Sequence, residues 1–387
     1  MKYIPVAAAM LMLRVSLFLV SLLFIAPPSA DAEPYMALRE GSSCADCHTN
    51  RTGGGMRSVL VEMHAADVLH IKDGEGIFPE PDERFSPQMA SWLRVGADFR
   101  VSDKLNFQDD PDANDEVDNN TVFRDVDSND IDVDQATVYA AITLIQDYLT
   151  FYVDERFAPG GAENREAFAL LDQVLPGETY IKVGRFFPAW GLKLQDDEAF
   201  VSSRPGFSFE RTVTGLEVGR GGMGLNWFLT IAEGTEDDDT DQLMMGSVSY
   251  LTENGFMIGA SAAHDEPDSN ELNAFSWFGG FSAGRLVALA QAVYLDTEIA
   301  DIGSQAWAAY GELDYLFSGW LNAKLAFDYE DPDVDTSDDA RNRVSIGIEP
   351  FIDEYLQIRV FYRVLNGPKD QPDANRDELT IEGHLFF

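Results

Sequence analysis

Leu93-Arg94-Val95-Gly96-Ala97-Asp98-Phe99-Arg100-Val101 alternates apolar and polar residues at every position, the period of a strand with one oily face. The pattern recurs between turn signals, near residues 91–101, 135–145, 148–157, 167–175, 178–187, 212–219, 223–233 and 242–252. It continues near 256–264, 272–281, 285–295, 306–316, 320–330, 341–350, 354–364 and 378–387. That makes sixteen strands. An even number of such segments predicts a mainly β fold, a sixteen-stranded antiparallel outer-membrane barrel over residues 91–387.

The connections alternate as well. Gln146-Asp147, Pro176-Gly177, Arg220-Gly221-Gly222, Glu253-Asn254-Gly255, Ser282-Ala283-Gly284 and Ser318-Gly319 read as short turns on one side. Acidic loops over 102–134, 158–166, 188–211, 233–241, 265–271, 296–305, 331–340 and 366–377 fall on the other. Short periplasmic turns and longer extracellular loops are what a bilayer barrel requires, whereas a soluble β-sandwich or propeller has no need of that alternation. With this parity both barrel ends lie in the periplasm. Arg94, Asp98, Arg100, Lys182, Asn322, Lys324, Asp328, Gln357, Arg359 and Arg363 would then point into the lumen. An Arg or Lys placed in lipid instead would cost about 2 to 4 kcal/mol near the midplane, so the register is firmly set.

The chain opens with Lys2 and an apolar run from Val6 to Ala26, closed by Pro27-Pro28-Ser29 before Ala30-Asp31-Ala32. Residues 1–32 read as a cleaved secretory signal. No later segment is long and apolar enough for a spanning helix. A net charge of -40 gives an anionic surface and excludes nonspecific nucleic-acid binding.

Between leader and barrel, residues 33–90 carry Cys44-Ala45-Asp46-Cys47-His48, with the only two cysteines of the chain. A C-x-x-C-H run lets two thiols add to one haem while His48 stands ready as the proximal ligand to its iron. A disulfide oxidoreductase would not need the histidine and would bring a βαβ pattern; a zinc site would need two further soft ligands. The expected cofactor is one covalent haem c held by Cys44, Cys47 and His48. Asn50-Arg51-Thr52-Gly53-Gly54-Gly55 reads as a turn whose glycines let the backbone pass the porphyrin closely. Met56 to His70 reads as a helix that could supply a distal ligand, the candidates being Met56, Met63, His64 and His70. His64 or Met63 is favoured, and since they lie about 100° apart on a helix at most one faces the iron. Gly74 to Pro87 reads as a linker.

Two loops stand out. The first holds eleven carboxylates from Asp103 to Asp132, including Asp109, Asp110, Asp112 and Asp115, against Lys104 and Arg124. Such oxygen-rich clusters bind surface divalent cations loosely, or focus a field that concentrates ferrous iron. The second runs from Pro188-Ala189-Trp190-Gly191-Leu192-Lys193 to Phe209-Glu210-Arg211, and its aromatic content fits a loop folded back into the pore. No Ser/His/Asp grouping or Gly-rich phosphate loop supports a hydrolytic enzyme.

Pro34-Tyr35-Met36-Ala37-Leu38-Arg39-Glu40-Gly41 running into the haem motif resembles the fused cytochrome-porins, among them the iron oxidases of iron-oxidising bacteria. Tyr180-Ile181-Lys182-Val183-Gly184-Arg185-Phe186-Phe187-Pro188-Ala189-Trp190-Gly191-Leu192 resembles the phosphate-selective porins, whose barrels have sixteen strands. The resemblance implies electron transfer across the outer membrane between an extracellular donor or acceptor and periplasmic cytochromes or other carriers. Its most specific form is an iron(II):cytochrome c oxidoreductase. Phosphate transport is not implied, because acidic loops would repel an anion. The other reading is a solute porin whose haem segment is a periplasmic plug or sensor. Haem position separates the two, because a conduit needs the haem inside the lumen.

Overall fold

The computed structural model describes residues 33–58, 87–107, 126–146, 148–174, 176–233, 242–266, 270–299, 302–353, 355–368, 371 and 374–387. The leader, Met63, His64, His70 and Asp109 to Asp118 lie outside the described residues.

Sixteen antiparallel strands, from Leu93–Phe107 to Asp377–Phe386, pair with their sequence neighbours, and the last pairs with the first. The sheet is therefore closed, with no edge left to hydrogen-bond in lipid. All sixteen predicted strands are present. The three residues Gln88–Ala90 add a short strand against Leu93 and Arg94 at the end of the expected linker.

Outward positions carry the apolar band, with Leu229 61%, Ile346 59%, Leu144 62% and Val183 48% exposed. Rings at the short-turn end, Trp92, Tyr148, Tyr250, Phe256, Tyr315 and Phe317, are exposed too and make an interfacial girdle. Inward positions are polar and buried. Asp98, Lys182, Asn322, Asp328 and Gln357 are each 1% exposed or less, as the alternation requires. In the last strand His384 faces inward onto Asp98 at 3.3 Å, and Glu382 reaches Arg359 at 3.0 Å.

The long-side connections differ from expectation. Leu93–Phe107 and Val126–Ile145 stay paired as far as Phe107 opposite Val126, so Ser102 to Phe107 and Val126 to Asp134 belong to a tall hairpin rather than to a loop. Leu286–Ile299 and Ile302–Ser318 leave only residues 300–301 between them. Ladder bonds are made by backbone, so pairing continues beyond the apolar band where side chains no longer need to be oily.

Candidate functional site: the lumen segment around Cys44, Cys47 and His48

Two short helices precede His48. Helix α1 (Pro34–Arg39) begins on a proline, whose missing N–H is no loss at a helix start. Helix α2 (Cys44–Cys47) is a single turn capped by its own sequence: Asp46 accepts from the Ser43 backbone N–H and from the Ser43 hydroxyl, each at 2.8 Å. One turn places Cys44, Cys47 and His48 at i, i+3 and i+4, on one side. The capping role of Ser43 and Asp46 is readable as Ser-x-x-Asp but is absent from the haem-motif reading above.

Beyond His48 the chain doubles back. His48 forms a β-bridge with Arg57, Thr49 N–H donates to Met56 O, and Ser58 N–H to Cys47 O. Residues 56–58 are therefore not the start of a helix, which corrects the reading of Met56 to His70 at its first turn. Met56 is buried in the hydrophobic core, and its backbone N–H donates to the Tyr152 hydroxyl at 3.0 Å. Gly53, Gly54 and Gly55 all sit at left-handed φ of +95°, +82° and +61°. A Cβ at Gly53 would stand 3.5 Å from Cys44 Sγ, at Gly54 2.6 Å from the Phe209 ring, and at Gly55 2.1 Å from Tyr152 Oη. Gly54 and Gly55 thus allow close approach to the Phe209 ring and to Tyr152, while the Gly53 contact with Cys44 is an ordinary one.

Residues 33–58 are seated inside the barrel at its short-turn end. Arg51 pairs with Asp172 at 2.8 Å, and a Cβ on Gly221 would press 2.7 Å from the Ala45 methyl. Deeper in, Asn50 donates to Glu166 at 2.8 Å and accepts from Lys182 Nζ at 3.0 Å. Lys182 also pairs with Glu217 at 2.8 Å, both side chains fully buried. Tyr35 donates to Glu349 at 3.2 Å, and Glu33 is clasped by Lys324 and Arg359. Burial alone would raise the Glu33 carboxyl, but these two cations outweigh it and hold it below the usual carboxylate range.

The aromatic loop does fold into the pore. Trp190 is 1% exposed and donates to Val201 O at 3.3 Å, next to helix α3 (Phe200–Ser203). Gly191 N–H donates to Ser261 Oγ at 3.1 Å and Leu192 N–H to Gln291 Oε1 at 2.8 Å. Asp196 pairs with Arg343 at 2.6 Å. Segment and loop face each other across the lumen.

Between them lies a cavity of about 680 Å³ lined by Cys44, Cys47, His48 and the glycine run, by Lys193, Gln195, Asp197 and Phe209 of the loop, and by Arg100, Tyr139 and Arg165 of the wall. Cys44 also lines a second, apolar cavity of about 770 Å³ with Trp190, Leu192, Phe228, Met257 and Phe278. A charged lumen space of about 1190 Å³ shares Glu33, Arg100, Gln195 and Asp197 with the first cavity and extends to Lys104 and Asp134 toward the long-loop side. His48 is buried, and its Nδ1 lies 3.3 Å from Gly55 O. Donation of Nδ1–H to that carbonyl selects the tautomer with the lone pair on Nε2. Burial raises both thiols, Cys47 to about 12, so in the docked segment they are neutral. Burial, helped by nearby Lys182, lowers the Lys193 amine to about 8, and burial raises Asp197 to about 6. Among the described residues no grouping of three or more His, Cys, Asp or Glu is arranged to hold a metal ion.

The chain superposes on OmpTΔL8, a loop-deletion mutant of an outer membrane protein of Vibrio cholerae, with a TM-score of 0.62 over 76% of this chain and 99% of that one, at 10% identity. The fold is that of an outer-membrane porin barrel. The anion-selective porin from Comamonas acidovorans gives a TM-score of 0.57 over 76% and 99% of the two chains, at 8% identity. At the sequence level no protein-family model and no curated protein matches. In both comparisons about a quarter of this chain lies outside the superposed part.

Proposed function

We propose that this barrel sits in the bacterial outer membrane and carries one covalent haem c in its lumen, as a conduit passing electrons between an extracellular donor, with Fe(II) the most specific candidate, and periplasmic carriers. The observation that carries the reading is the position of Cys44, Cys47 and His48 within the barrel, lining a cavity that shares Glu33, Arg100, Gln195 and Asp197 with the charged lumen space. A redox centre at one end of an apolar band ~25 Å tall would be too far from the other side, whereas one inside shortens the path.

The residues fit the group on several counts. Two thiols and an imidazole line one cavity. His48 has the carbonyl partner that orients a ligating imidazole. Cys44 also lines the apolar cavity of Trp190, Leu192, Phe228 and Met257, a lining that would suit a large apolar group. When bound, haem supplies the one-electron carrier. The chain does the rest: Cys44 and Cys47 anchor, Gly55 O orients His48, and the ion pairs of Glu33 with the hydrogen bonds from Lys182 to Asn50 and Thr52 hold the segment in the lumen. Outside, the net charge of -40 attracts a cationic donor and repels anions.

A solute porin with this segment as plug is the second reading, and the likeness to porin barrels favours it. Against it stands a lumen occupied by both the segment and the aromatic loop. Reduced-minus-oxidised spectra of purified outer membranes, with ferrous iron as reductant, decide between them. A c-type spectrum that appears with iron(II) and is lost in Cys44→Ala/Cys47→Ala supports the conduit. Covalent haem persisting in the double variant, or never present in the wild type, ends it.

A further inference from the structure

We propose that Lys193 Nζ is the distal ligand to the iron whose proximal ligand is His48. The inference rests on the haem reading above and deepens it by naming the sixth ligand.

Lys193 is half-buried as a residue, and its Nζ is out of contact with solvent and has no hydrogen-bond partner, lying over the Phe209 ring 5.2 Å from its centroid. A buried ammonium without an acceptor is costly, and cations in such places are normally paired. Its neighbour Lys182 shows the ordinary solution, with Glu217, Asn50 and Thr52 around the Nζ. An amine that gives its lone pair to a metal has no such need of an acceptor. Lys193 lines the same cavity as Cys44, Cys47 and His48, and it does so from the loop rather than from the segment that carries them.

The other cavity groups are already engaged. Arg100 is bonded to Asp98, Arg165 to Phe209 O, Asp197 to Phe209 N–H, and Glu33 to Lys324 and Arg359. Among the described residues no methionine and no second histidine lines this cavity, since Met56 is packed in the core. The position of Lys193 is also preset, because the two preceding residues are bonded through their backbone to Ser261 and Gln291 on the wall. Gly191, at φ +46° with Gln291 Nε2 only 2.2 Å from where a Cβ would be, admits no side chain at that anchor.

The test uses the full chain purified from outer membranes, with haem staining on a denaturing gel and electronic and paramagnetic resonance spectra of the ferric form. The wild type should be low-spin and six-coordinate. Lys193→Ala and Lys193→Arg should both keep the stained haem and lose the low-spin signal, because a guanidinium retains the charge but does not ligate. Lys193→Met should restore six-coordination with the charge-transfer band of a thioether ligand, which keeps the test decisive if the alanine variant fails to fold. A low-spin signal unchanged in Lys193→Ala overturns the assignment, the more so if His64→Ala removes it. Loss in Lys193→Ala with retention in Lys193→Arg also overturns it, making Lys193 a counter-charge to the haem carboxylates. A stained but high-spin wild type overturns the ligand and leaves the conduit standing; an unstained wild type removes both.

Discussion

At the scale of single residues, the segment is fixed in the lumen by a few buried polar contacts, and Asn50 is central among them. It is fully buried, gives a hydrogen bond to Glu166 and takes one from Lys182. Asn50→Ala should destabilise docking by about 1–3 kcal/mol, because it removes two hydrogen bonds to charged groups while Lys182 keeps Glu217 and Thr52 and Glu166 keeps the Phe187 N–H. Limited proteolysis of the segment in increasing urea should show the shift, and an unchanged midpoint would mean that the apolar contacts of Tyr35, Leu38 and Met56 suffice. The inward face of Asp98, Lys182, Asn322 and Arg359 was legible from alternation, because the pleat gives each strand residue only two choices. Cys44, Cys47 and His48 were legible as a motif. The roles of Glu33, Asn50 and Lys193 were not, because each is defined by partners more than a hundred residues away or by a loop's path through the lumen.

At the scale of elements, the strands carried their own period and all sixteen were readable, while their outer ends were not. Asp103, Asp130, Asp132 and Asp134 are poor strand formers, yet pairing continues to Phe107 opposite Val126, with the register shifting once at Asp134 and once just before Val126. Met56 to His70 reads as a helix in the sequence, but the bridge between His48 and Arg57 takes the start of that stretch into a hairpin-like loop. The topology predicts that a cysteine at Asp335, in an exposed long-side loop, is labelled on intact cells by an impermeant reagent while one at Gly319 is not. The reverse pattern would invert the barrel. The loop that fills the pore has its own pH dependence. Burial would raise Asp196, but Arg343 at 2.6 Å and Arg363 at 3.7 Å prevail and bring it to about 2. A lowered carboxyl stabilises fully above its ordinary value near ~4 and loses that contribution as pH falls toward about 2. Protease cleavage within residues 188–211 should therefore fall from neutral pH to about 4, because Asp197, raised to about 6 by burial, takes up its proton more readily in the docked loop, and should rise below about 4 as Asp196 is protonated. Asp196→Asn should show the raised cleavage at every pH.

At the scale of the whole molecule, a closed barrel with an apolar exterior holds a charged lumen, and that lumen is narrowed from one end by residues 33–58 and from the other by the aromatic loop. The arrangement puts the thiols and His48 where a bound haem would be insulated from lipid by the barrel wall and reached from outside through a charged space. On the proposed function, electrons cross the membrane through this lumen. That crossing is tested most directly in vesicles bearing the purified full-length protein, with oxidised soluble cytochrome c enclosed and ferrous iron supplied outside. A conduit predicts reduction of the enclosed cytochrome with the wild type and its loss with Cys44→Ala/Cys47→Ala, a variant that controls for iron leaking through the pore. Equal reduction with both proteins, or a wild-type haem that is reduced by iron while the enclosed cytochrome stays oxidised, would contradict it.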